Sequence, residues 1–119
     1  MKKKYLIALF LAALLLAAAC VDLDSIVISN PDLSKIADGK YQGSSKVGPV
    51  LVTLEVSVKG SVITSIDLIK HRNGKGEKAE AIVQKIIEAQ SLNVDVISGA
   101  TASSKAILQA AENALAGKK

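Results

Sequence analysis

The chain has 119 residues, enough for one domain and tight for two. One Cys, one His and three aromatics exclude an internal disulfide scaffold, a Cys/His zinc cage and a base-stacking nucleic-acid platform. The formal charge of +4 argues no further for nucleic acid, because Lys2, Lys3 and Lys4 supply three of those charges.

The first element is an export signal. Met1-Lys2-Lys3-Lys4 forms a positive n-region, Tyr5 to Leu16 an apolar h-region rich in Leu and Ala, and Ala17-Ala18-Ala19 a small-residue end directly before Cys20. A spanning helix needs about 20 apolar residues, so this run is short for one. Three readings of Cys20 stay open. Ala17-Ala18-Ala19-Cys20 resembles a bacterial lipobox, in which the thiol is diacylated and becomes the new N-terminus, although Ala17 stands where that pattern prefers Leu. Ordinary cleavage after Ala19 is the second reading, and an uncleaved anchor helix with a buried Cys the third. All three place the remaining chain outside the cytoplasm, on or near a membrane, and the first makes lipid on Cys20 the anchor. The expected division is a signal peptide over 1–19, a tether over 20–38 with little fixed structure, and a folded unit over 39–117.

Within that unit Lys40 to Val47 suits an edge strand. Val52, Leu54, Val56 and Val58 alternate with Thr53, Glu55 and Ser57, the period of a half-buried strand. Lys59-Gly60-Ser61 turns the chain into a returning strand over Val62 to Ile69, so the pair forms a hairpin. His71 to Gly76 reads as a loop, with Asn73-Gly74 its turn signal. Glu77 to Ala89 has helical spacing, with Ala79, Ile82, Val83, Ile86 and Ile87 on one stripe. Val94 to Ile97 reads as a short strand. Thr101 to Ala116 is a second helix with Ile107, Leu108, Ala111 and Leu115 inward, stopped at Gly117. The expected order is β-β-β-α-β-α: an α+β domain with a hairpin-based antiparallel sheet and two helices packed on it.

The chemistry concentrates in Asp95-Val96-Ile97-Ser98-Gly99-Ala100-Thr101, a strand, a tight turn and a hydroxyl opening a helix. The first turn of a helix presents unpaired N–H groups and the positive end of the macrodipole, which suit an anion such as phosphate. Gly99 lets the backbone approach a ligand. The alternative is that Ser98 or Thr101 is a plain N-cap, worth about 1 kcal/mol.

Asp95-x-x-Ser98-Gly99-Ala100-Thr101, followed by Ser-Lys and an Ala/Leu-rich helix, resembles the bacterial FMN-binding domain family, which includes small extracytoplasmic lipoproteins. Asp38 to Gly43, the hairpin, His71 with its Gly-containing loop, Ala79 to Ile82 and Ala89 to Leu92 also match, so the likeness covers essentially the whole folded unit. The resemblance implies FMN held by a phosphoester bond on Thr101, installed by a separate flavin transferase. Asp95, Ser98, Gly99 and Ala100 match the segment that transferase recognises. It implies that His71 could hydrogen-bond the flavin or its ribityl chain; a plain surface-loop His is the alternative. Many members place an aromatic after the Thr, where this chain has Ala102. With Tyr41 its one aromatic beyond the signal, the flavin ring would pack on aliphatics or lie exposed. That suits a relay, without a substrate of its own, between a membrane reductase or quinone pool and an external acceptor. Noncovalent FMN binding, or a redox-inert surface lipoprotein of the same fold, are the alternatives. Arg72, Lys75 and Lys78 could neutralise the phosphate or form an ordinary solvated loop.

Overall fold

The computed structural model describes residues 26–72 and 76–117. The expected export segment, Cys20 and the Asn73-Gly74 turn lie outside the described residues.

Three strands succeed one another as an antiparallel meander: β1 (Gly39–Val47), β2 (Val50–Lys59) and β3 (Val62–Arg72), in sheet order β1-β2-β3. At the β2–β3 turn Gly60 has φ 59° and Ser61 φ 64°. Two left-handed residues in succession give the hairpin turn whose twist matches that of the flanking strands. Asp38 secures it by accepting from the Gly60 N–H at 2.8 Å. The alternation expected of β2 is realised: Val50, Val52, Leu54, Val56 and Val58 are buried, while Thr53, Glu55 and Ser57 are half-buried on the opposite face.

Two helices cover the buried face, α1 (Gly76–Ala89) and α2 (Thr101–Leu115). α2 lies against β1 and β2, and α1 against β3 and α2. α1 buries Ala79, Ile82 and Ile86, the stripe its spacing predicts, with Val83 and Ile87 partly buried beside them. α2 buries Ile107 and Leu108 together with Ala106, Ala110, Ala111 and Ala114. These small residues bring its backbone close to β1, and Gly43 completes the approach. A Cβ added there would lie 2.2 Å from the Ala110 carbonyl oxygen and 2.5 Å from the Ala114 nitrogen. Complete burial of side chains such as Leu54, Ile63, Ile82, Ile86 and Ile107 stabilises the fold by about 1.5–3 kcal/mol each.

The end of α1 is held by Gln90, whose φ of 51° is left-handed. The Ser91 N–H donates to the Ile86 carbonyl and the Gln90 N–H to that of Ile87, both at 3.3 Å, the paired bonds of a Schellman motif. The Gln90 side chain offsets the strain of a non-Gly residue at this position. Its Oε1 accepts from the Ile63 N–H at 2.7 Å and its Nε2 donates to the Ile63 carbonyl at 2.9 Å. Gln90 thereby occupies the free edge of β3 at Ile63.

The α+β architecture is as expected, with three local differences. Val94 to Ile97 does not form a strand; the Ile97 N–H instead donates to Ser104 Oγ at 3.0 Å, turning the segment toward α2 and away from the sheet. His71 is not in a loop, because β3 continues to Arg72. Residues 26–38 have more fixed structure than a tether needs. Ile26, Ile28, Leu33 and Ile36 pack against the core, and Leu33–Lys35 forms a short 3-10 helix capped by Asp32. The Ser29 N–H donates to Glu112, and Asn30 Oδ1 accepts from the Leu92 N–H at 3.0 Å.

Candidate functional site

The Ser98-Gly99 turn is closed by the Ala100 N–H donating to the Ile97 carbonyl at 2.9 Å. Gly99 takes φ +79°, a conformation that costs any L side chain strain. Ala100 is the N-cap of α2, is buried, and offers no side-chain acceptor. The first helical bond runs from the Ser104 N–H to the Ala100 carbonyl at 2.9 Å. Neither Ser98 nor Thr101 therefore acts as the plain N-cap of α2. Thr101 is the first residue of the helix and is partly exposed, within the turn where backbone N–H groups lack helical carbonyl partners. Asp95, Ser98 and Gly99 are exposed on the approach to it.

α1 supplies a cation. A Cβ added to Gly99 would lie 2.7 Å from Nζ of Lys78, so that ammonium rests over the turn. Of the three cations grouped near the loop, Lys78 is brought to the motif, Arg72 is exposed at the end of β3, and Lys75 lies outside the described residues.

His71 is brought in from the sheet. It pairs with Val52 across β2, on the face the helices cover, and its side chain is 4% exposed. Its Nε2 lies 3.2 Å from Ser103 Oγ, the tautomer deciding which atom donates. Its Nδ1 lies 3.6 Å from Glu80 Oε1, within ion-pair reach but too long for a hydrogen bond, and has no hydrogen-bond partner among the described residues. β3 and α1 thus converge on the N-terminal end of α2.

Sequence reasoning missed the hydroxyls of Ser103 and Ser104, and Glu80. Both serines are buried on α2, 1% and 0% exposed. Their signal was present: Ser104 precedes Ile107, Leu108 and Ala111 at helical spacing, so it belongs to the inward stripe. A recess lined by Lys85, Glu88, Ala89, Asn93, Val94 and Asp95 lies at the far end of α1; it shares Asp95 with the motif but does not include Thr101.

Chemically, the arrangement offers a hydroxyl at a helix N-terminus, a glycine turn and an ammonium, the elements that suit a phosphate-sized anion.

The family model described as FMN-binding domain matches residues 46–116. Over 84 residues, 68% of this chain, the sequence is 38% identical to the NADH:acrylate oxidoreductase of Vibrio harveyi. The chain matches 8% of that protein's length.

Proposed function

The chain belongs to the FMN-binding domain family, and from that premise we propose that it carries FMN through a phosphoester bond to Thr101 Oγ and serves as an electron relay. The carrying observation is Thr101 itself: a partly exposed hydroxyl opening α2, beside a turn at which Gly99 is left-handed and Lys78 stands over the backbone.

The residues fit the group. α2 offers a helix N-terminus whose cap brings no competing side-chain oxygen, and the Lys78 ammonium adds positive charge facing Gly99. A Cβ at Gly99 would lie 2.7 Å from the Lys78 ammonium, so glycine keeps that space open. His71 fixes the first turn of α2 through Ser103 and acts as a positioning residue. When bound, FMN supplies the capacity to pass one or two electrons, and the protein supplies position and electrostatics. A covalent bond suits a site outside the cell, where a cofactor lost to the medium is not recovered.

The Lys-rich start, the apolar run and Ala17-Ala18-Ala19-Cys20 support an exported chain, tethered through lipid on Cys20. In this reading a flavin transferase matures the protein through Asp95, Ser98, Gly99 and Ala100. The relay then runs between a membrane reductase or quinone pool and an external acceptor. The test is in-gel ultraviolet fluorescence of the denatured protein after coexpression with a flavin transferase. The wild type should fluoresce and Thr101→Ala should not. Fluorescence that persists in Thr101→Ala would move the attachment site.

A further inference from the structure

The sheet has a second face that neither helix covers, and the register orders its side chains in rows. Lys46, Leu51 and Arg72 stand side by side at one end; Ser44, Thr53 and Lys70 form the next row, and Gln42, Glu55 and Asp67 the one after. Lys46, Lys70 and Arg72 are exposed. Leu51 is 40% exposed and Ile69, the extra residue of a bulge beside Lys70, is 49% exposed. Among the described residues no ion pair joins any of the three cations to a carboxylate. Two rows from Leu51 the sign reverses, because Glu55 and Asp67 are direct cross-strand partners. Like charges so placed are unfavourable within the chain. The face therefore has a cationic end with two half-exposed aliphatics and an acidic middle.

The cationic end adjoins the site described above. Arg72 follows His71, whose ring reaches Ser103 in the first turn of α2.

We propose that this end of the sheet docks a protein partner presenting carboxylates around an apolar centre. The partner's role in electron exchange rests on the flavin reading; the docking surface does not. Three features select this occupant. Unpaired cations around Leu51 and Ile69 complement an acidic rim with an apolar core, and such charge steers encounter more than it adds affinity. The cationic patch spans three strands and a few residues of each, roughly 10 by 15 Å. That is far below the about 800 Å² per partner of a stable interface, which disfavours a second copy of this chain and suits a transient encounter. A broad anionic membrane surface would press on Glu55 and Asp67 as well as on the cations. A focal acidic partner meets the cations alone, and the acidic row orients it toward the end bearing Thr101.

The test is NMR shift mapping on the full chain, isotopically labelled and without flavin. The probes are a synthetic Glu/Leu peptide, a Lys/Leu peptide of equal length, and phosphatidylglycerol vesicles. The acidic peptide should perturb Lys46, Leu51, Ile69, Lys70 and Arg72, and its binding should weaken as salt is added. Reversing Lys46, Lys70 and Arg72 to Glu together should weaken binding about tenfold or more. Reversing Lys40 and Lys59, at the far end of the sheet, should leave it unchanged. Shifts elsewhere on the domain, equal binding by the triple variant, or capture by the vesicles with no response to the peptide would each overturn the proposal. Because the flavin is absent, a failed Thr101 assignment would leave this mapping intact, and the two readings fail separately.

Discussion

His71 Nε2 and Ser103 Oγ lie 3.2 Å apart, joining the last residues of β3 to the first turn of α2. This contact links the sheet to the helix end that carries Thr101. His71→Ala removes a buried side chain together with that hydrogen bond. It should destabilise the domain by about 1–3 kcal/mol, read from denaturant unfolding. The loss should be local as well as global: the amides of Ser104 to Ala106 should exchange faster with solvent. Unchanged exchange there would show that the tie does not hold the helix end.

Gly43 is where α2 comes nearest the sheet. Gly43→Ala places a methyl 2.2 Å from the Ala110 carbonyl oxygen, and backbone atoms cannot swing aside as a side-chain tip can. Relief requires α2 to move off β1. The expected cost is about 1–3 kcal/mol or more, as for overpacked cores, seen as a lower thermal midpoint. A midpoint equal to that of the wild type would contradict the close packing of α2 on β1.

Gln90 separates two effects. Gln90→Ala keeps a left-handed residue and loses the bonds to Ile63, whereas Gln90→Gly loses the same bonds but relieves the backbone. Both variants should be less stable than the wild type, with Gly the milder by about 1 kcal/mol. Equal losses would mean that the conformation carries no cost there.

Asp32 gives a pH dependence. The Ser34 hydroxyl, and secondarily the Ser34 amide, hold its carboxyl below the ordinary value of 3.8. A carboxyl depressed by folding contributes stability above its unfolded value and loses it as pH falls through the folded one. The turn Leu33–Lys35 should therefore loosen only below about pH 3.8, followed through the amide signals of Leu33 and Ser34. In Asp32→Asn, which keeps a capping oxygen without a titrating group, this acid transition should vanish. A transition of the same midpoint in that variant would assign it to another group.

The β2 strand, the two helical stripes and the hydroxyl at the start of α2 are legible because each depends on local period or on a short contiguous run, Ser98-Gly99-Ala100-Thr101. His71 was not. A bulge places Ile69 outside the ladder between Lys70, opposite Thr53, and Leu68, opposite Leu54. That insertion breaks the two-residue alternation, so by local pattern the strand ends before His71, although the shifted register returns His71 to the inner face. Val94 to Ile97 has strand-like composition, and composition alone does not reveal that Ser104 takes the Ile97 N–H. Ile26, Ile28, Leu33 and Ile36 pack on the distant core, and Ser29 and Asn30 bond Glu112 and Leu92, contacts between residues far apart in the chain that local pattern does not report.

The proposed flavin rests on one covalent bond to Thr101, and intact-mass spectrometry reads it most directly. Chain coexpressed with a flavin transferase should gain the mass of FMN less one water, with fragment ions placing the addition on Thr101, and Thr101→Ala should gain nothing. Wild-type chain of unmodified mass, recovered from cells whose transferase loads a control acceptor, would contradict it.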